Sequence, residues 1–146
     1  MIKKIFFILS LFAFNMNVNA MVVERSVIQT QSGQQYIFDT EVARTDQEQS
    51  TGLMFRTILP QHHGMLFIYP FPQLITMWMK NCFIPLDMMF IDATGRICHI
   101  VRHTIPNSTH HIYSNCMAKA VLEIGAGLTN AYNIHVGDRL IAPFIR

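Results

Sequence analysis

The chain predicts a mainly β (α+β) domain, a compact antiparallel β-sandwich or barrel-like fold carrying two short helices. Three observations predict it. Segments of alternating or continuous apolar character recur at short spacing, clusters of Gly, Pro and Asn separate them, and only two stretches carry helix signals.

The strand-like segments cover residues 22–30, 35–42, 65–69, 74–80, 86–92, 97–102, 119–124 and 139–144. The Asp92-Ala93-Thr94-Gly95 stretch between two of them is a hairpin signal, because Gly95 can adopt positive φ at no steric cost. Thr45-Asp46-Gln47-Glu48 fits a capping box, in which threonine and glutamate satisfy each other's backbone N–H groups, and Gly52 closes that helix after about two turns. A second helix is expected over 128–133. Both are too short to stand alone and must pack on the sheet. Nothing from Met21 onward reads as a linker, a repeat or a low-complexity tract.

The N-terminus has Lys3 and Lys4, an apolar run over 5–14, and a polar stretch ending Val18-Asn19-Ala20. This is the three-part pattern of a secretory signal peptide over 1–20, cleaved after Ala20. The apolar run has about half of the roughly 20 residues that span a bilayer, so no stable membrane insertion is expected after cleavage. No cysteine stands at the lipid-attachment position, and the expected location is periplasmic or secreted. Of 146 residues, 126 remain (21–146), enough for a single domain with its own core. Of 11 Lys and Arg residues, cleavage removes Lys3 and Lys4, leaving 9 against 9 Asp and Glu. No basic cluster is left to neutralise a row of phosphates, so nucleic acid is not expected as a partner.

Three cysteines remain, Cys82, Cys98 and Cys116. In an oxidising compartment that count allows one pair and one leftover thiol. Cys98 with Cys116 is the favoured pair, and three small buried hydrophobes is the alternative. No Cys-x-x-Cys supports a redox role.

Residues 77–95 set Lys80, Asn81 and Asp87 inside a run that otherwise reads as core. An unpaired buried charge costs several kcal/mol, so these side chains should satisfy one another or wait for a ligand. Extended geometry puts Lys80 on a face with Leu74, Thr76 and Trp78, and Asp87 on one with Met89 and Ile91. Pro85 between them marks a bend or strand edge that could bring Lys80 and Asp87 together. The Met79-Lys80-Asn81 and Ile84-Pro85-Leu86-Asp87 strings, with Gly-Leu-Met-Phe-Arg at 52–56 and Gly-Met-Leu-Phe at 64–67, closely resemble the DUF192 family, also called UPF0127. The resemblance runs over about 37–144. It implies a compact β-rich domain with small helices at its edge, and no particular reaction. Tyr113 and Ser114 match a position of that family, although a serine without a Gly-x-Ser-x-Gly elbow is a weak nucleophile.

Arg56 ends its motif, and its planar fork suits a carboxylate or an anionic ligand. Glu123, in Ala120-Val121-Leu122-Glu123-Ile124, is an acid among apolar neighbours, and an Arg56–Glu123 salt bridge is the simplest account of both. The expected function is an exported accessory or binding module. Its polar pocket, for a small polar or anionic ligand, would be formed by Arg56, Lys80, Asn81, Asp87, Tyr113 and Glu123. One alternative is a hydrolase dividing acid and base roles between Asp87 and Glu123. Another is a copper-handling protein using His62, His63, His99, His103, His110 or His111 with Met77, Met79, Met88 or Met89. Methionine is a common core filler, and His99 and His103 lie about 13 Å apart if extended, so no metal or other cofactor is expected.

Overall fold

The computed structural model describes residues 21–143 and 145. The expected signal peptide over 1–20 lies outside them. The chain forms β1 (Val23–Gln29), β2 (Gln35–Ala43), α1 (Asp46–Thr51), β3 (His63–Met77), β4 (Leu86–Ile91), β5 (Ile97–Val101), β6 (Ile112–Gly125), α2 (Leu128–Ala131) and β7 (Arg139–Ile141). One seven-stranded sheet runs in the order β5-β4-β6-β3-β2-β1-β7. It curls until its two edge strands touch. Arg96 bridges to Arg139, Ile97 N–H donates to the Asp138 carbonyl and Leu140 N–H to the Gly95 carbonyl, both at 2.8 Å. The mainly β class with two short helices is therefore the one the sequence predicts. Among the described residues no helix is long and apolar enough to cross a membrane.

Most neighbouring strands are antiparallel, but β2 and β3 run parallel, joined by a crossover that contains α1. That helix forms as its capping box dictates. Glu48 N–H donates to Thr45 Oγ1 at 3.2 Å, Glu48 Oε2 accepts from the N–H groups of Arg44 and Thr45, and Gly52 ends the helix at φ +47°. At the 92–95 hairpin Asp92 Oδ1 accepts from the N–H of Thr94 and of Arg96, and Gly95 takes φ +82°.

The predicted strands 65–69 and 74–80 are parts of one strand, β3, which ends at Met77. Pro70 and Pro72 interrupt its ladder with β6, since proline has no N–H to give. Buried Ser114 repairs part of the loss, accepting from Ile75 N–H at 3.0 Å and donating to the Cys116 carbonyl at 2.7 Å. It is a structural hydroxyl. The predicted strand 119–124 likewise begins earlier, at Ile112, because its first half pairs with the far half of β3. The predicted 139–144 strand stops at Ile141.

The central strands are buried on both faces, which is why β4 reads as an apolar run broken only by Asp87. Leu66, Met89, Leu122 and Ile124 pack inside the curl with Ile28, Phe38 and Leu140. Met65, Phe67, Met88, Phe90 and Val121 pack on the other face, with Leu53, Met79 and Cys82. Gly64 lets β3 and β6 approach closely here. A Cβ at that position would lie 2.5 Å from the Glu123 carbonyl oxygen, so any larger residue would push β6 away. Cys98 and Cys116 form a disulfide tying β5 to the exposed half of β6, and Cys82 is a buried free thiol.

Candidate functional site

The six candidate residues do not form one pocket. Asp87 is completely buried on the inner face, where it organises the backbone around α2. Its Oδ1 accepts from His103 N–H at 2.9 Å, and Oδ2 accepts from Gly127 N–H and Thr129 N–H at 3.0 Å and from the Thr129 hydroxyl at 2.6 Å. Among the described residues no salt bridge joins it to Lys80. The expected Lys80–Asp87 network is thereby corrected. The strand face assumed for Lys80 ends at Met77, and the residues beyond it turn through Asn81, which has φ +58°. Lys80 is exposed, its ammonium 5.3 Å from the centroid of the Trp78 ring.

Arg56 grips Glu41 with both terminal nitrogens, Nη2 donating to Oε2 at 2.6 Å and Nη1 to Oε1. The Arg56–Glu123 bridge expected from sequence is therefore replaced by Arg56–Glu41. Register explains the choice: Glu41 lies beside Met65, and Met65 beside Glu123, so the two acids stand in one row two strands apart and Arg56 takes the outer one. The hydrogen bonds it donates to Glu41 hold the Arg56 guanidinium more strongly protonated than usual. Tyr113 pairs with Thr76 on the exposed part of β6, its hydroxyl 3.3 Å from His111 Nδ1.

Glu123 stands apart from these. It is 3% exposed, and no hydrogen bond or salt bridge from a described residue reaches its carboxyl group. The group lines a small cavity beneath α1, bounded by Gln49–Thr51 of the helix, Gly52, Leu53 and Met54 of the following turn, and Phe67, Met77, Trp78 and Cys82. The space is about 20 Å³, enough for one water molecule. Buried Leu53 and Phe67 lie at its depth, and exposed Ser50, Thr51 and Trp78 at its mouth. Asn81 braces that mouth: its carbonyl accepts Phe55 N–H at 2.8 Å and its Nδ2 lies 3.9 Å from Met54 Sδ. The Gly-Leu-Met-Phe motif and the Trp-Met-Lys-Asn-Cys segment thus meet as two walls of one cavity.

Burial sets the electrostatics. With no cation or donor among the described residues to offset desolvation, the Glu123 carboxyl is pushed up to about 8, so it is mostly protonated at neutral pH and can both donate and accept. Burial, reinforced by Glu123, raises the Tyr69 hydroxyl to about 12 and the Cys82 thiol to about 11. Cys82 is therefore a thiol and a poor nucleophile at physiological pH. Sequence reasoning misses Trp78, Cys82 and Tyr69. The signal for the first two is a tryptophan and a cysteine flanking the Lys80-Asn81 pair, whose charge and amide draw attention away from them.

Asp87 and Glu123 cannot share a substrate. Met88 lies opposite Glu123 and Asp87 opposite Ile124, so the two carboxyl groups project to opposite faces of the sheet. This rules out the paired-carboxylate hydrolase. Among the described residues no three of His, Cys, Asp and Glu gather where they could hold a metal ion.

Residues 27–142 match the DUF192 family, described as Uncharacterized ACR. The chain belongs to that family. A solved structure from Sinorhizobium meliloti, provisionally described as a transcription regulator, is 35% identical with a TM-score of 0.83, over 84% of this chain and 95% of that one. A protein of unknown function from Novosphingobium aromaticivorans is 34% identical with a TM-score of 0.81, over 86% of this chain and 89% of that one. Both share the DUF192 fold seen here. No curated protein matches this chain.

Proposed function

We propose that this DUF192 protein is an exported binding module whose site is the cavity ending at Glu123. One observation carries the reading: a buried acid without a partner faces a cavity whose mouth is at the surface. Such an arrangement costs stability unless a ligand repays it, and proteins keep such costs where function needs them. The ligand is small and polar, and offers a hydrogen-bond donor to the carboxyl group. An anion is disfavoured, since no Lys or Arg lines the cavity to offset its desolvation.

Export is supported by the Cys98–Cys116 disulfide, a bond that persists in oxidising compartments. Sequencing the N-terminus of exported protein is expected to begin at Met21, and recovery of an uncleaved chain from membranes would defeat that part of the reading. The balance of 9 basic and 9 acidic residues from Met21 onward does not favour nucleic acid as the partner.

The site is tested by a thermal-shift screen of the mature protein against small amines, amides, alcohols, sugars and carboxylates, since a ligand of the folded state raises its melting temperature. At least one donor-bearing compound is expected to stabilise the wild type and to lose its effect in Glu123→Gln. Hits indifferent to that substitution would place binding elsewhere, and a screen without hits would remove the reading.

A further inference from the structure

We propose that the ligand of the Glu123 cavity is a primary ammonium group on an unbranched alkyl stem, an inference that rests on the binding-module reading above. Size is the first argument. A space of about 20 Å³ accepts one heavy atom with its hydrogens, and an ammonium tip matches a water molecule in this respect. A guanidinium, a carboxylate or a sugar ring brings three or more heavy atoms at once.

Charge is the second argument. The cations that could neutralise Glu123 are engaged elsewhere, Arg56 by Glu41 and Lys80 outside against Trp78. The acid acts on Tyr69 and Cys82, both neutral at physiological pH, and α1 lines the cavity with Gln49, Ser50 and Thr51, its acids Asp46 and Glu48 lying outside that lining. A charge-assisted N–H to carboxylate bond is therefore unopposed, and stronger in this buried setting than in bulk water.

The walls are the third argument. The walls around the tip, Leu53, Met54, Phe67 and Met77, are apolar, and the methylene stem would leave past Met77 and Trp78, which line the cavity and the hollow outside it. Trp78 at the mouth already carries an ammonium 5.3 Å from its ring centroid, the attraction expected between an indole face and a cation. Met77 and Trp78 also line a wider outer hollow of about 230 Å³ with Thr76 and His111, where the body bearing the stem would rest. That body could be a free amine or the backbone of a lysine-containing peptide, and both present the same tip.

The test is a calorimetric and NMR titration of mature protein at pH 8 with n-butylamine, cadaverine and a capped Gly-Lys-Gly peptide, using 1-butanol and butyrate as stem controls. Amine binding is expected to be at least tenfold tighter than butanol binding, with none by butyrate. It should weaken at least tenfold in Glu123→Gln, which keeps the side-chain shape, and several-fold in Trp78→Ala. Binding should release a proton near pH 7 and weaken as pH falls below about 8, because the ammonium displaces the proton on Glu123. Tighter binding of the peptide assigns the tip to a lysine side chain, and tighter binding of cadaverine or butylamine assigns it to a free amine. Equal binding of butanol and butylamine, or amine binding unchanged in Glu123→Gln, would overturn the ammonium assignment. The former would still leave a donor-binding cavity, so the two readings fail separately.

Discussion

Glu123→Gln is expected to stabilise the protein above pH 8 and to flatten its stability profile between about pH 4.5 and 8. The folded protein raises this carboxyl from its ordinary value of 4.5 to about 8 by burial alone. Between those values the native state holds a proton that the unfolded chain has lost, so stability falls as pH rises, at up to about 1.4 kcal/mol per pH unit. Below about 4.5 both states are protonated and the group contributes nothing. Above about 8 both are ionised and the full cost is present, on the order of 5 kcal/mol. Glutamine keeps the shape and cannot ionise. Glu48, lowered by hydrogen bonds from the backbone N–H groups of Thr45 and Arg44, and Asp92, where desolvation by burial is outweighed by hydrogen bonds from the Thr94 hydroxyl and the N–H groups of Arg96 and Thr94, act in the opposite sense. Their stabilisation is lost as pH falls through their folded values, below the window at issue. Urea denaturation of both proteins at pH 5 and pH 9 provides the check. Parallel pH profiles for wild type and variant would show that the carboxyl is solvated and the cavity open water.

Asp87→Ala is expected to cost about 3–5 kcal/mol, through backbone donors left without an acceptor. The carboxylate serves the N–H groups of His103, Gly127 and Thr129 and the Thr129 hydroxyl, and it is fully buried. Its removal strands three backbone N–H groups from two loops that β4 otherwise holds together. Thr129→Val should cost less, about 1–2 kcal/mol, since it keeps the three backbone bonds to Asp87 and deletes only those of the hydroxyl, which donates to Asp87 Oδ2 and accepts from Arg102 Nε. Lys80→Ala should stay within about 0.5 kcal/mol and add to Asp87→Ala without coupling, because the two side chains share no contact. Chemical denaturation of the single and double variants measures all three. Strong coupling between Lys80 and Asp87 would restore the ion pair that the fold separates.

The local devices of this chain are legible in its sequence. The capping box at Thr45 and Glu48, the close of α1 at Gly52 and the hairpin at 92–95 each depend on hydrogen bonds spanning four residues or fewer. The apolar character of β4 on either side of Asp87 also marks it as interior. The site is legible only in part. Glu123 stands out as an acid in apolar sequence, and that oddity is what the fold preserves. Asp87 stands out for the same reason, yet its role is structural, because its partners come from 16, 40 and 42 residues away.

Sequence by itself determined that the domain is β-rich, that two short helices interrupt it, and that a few polar groups lie in its interior. These follow from turn chemistry, capping and the period of apolar residues, all of which act along the chain. Tertiary structure alone decided which polar groups meet. The parallel placement of β2 beside β3 puts Glu41 within reach of Arg56, and the register of β4 against β6 sends Asp87 and Glu123 to opposite faces. A register slip of β4 by one residue would put both carboxyl groups on one face while leaving every local signal unchanged, since side chains alternate with a period of two and backbone pairing is blind to side-chain identity.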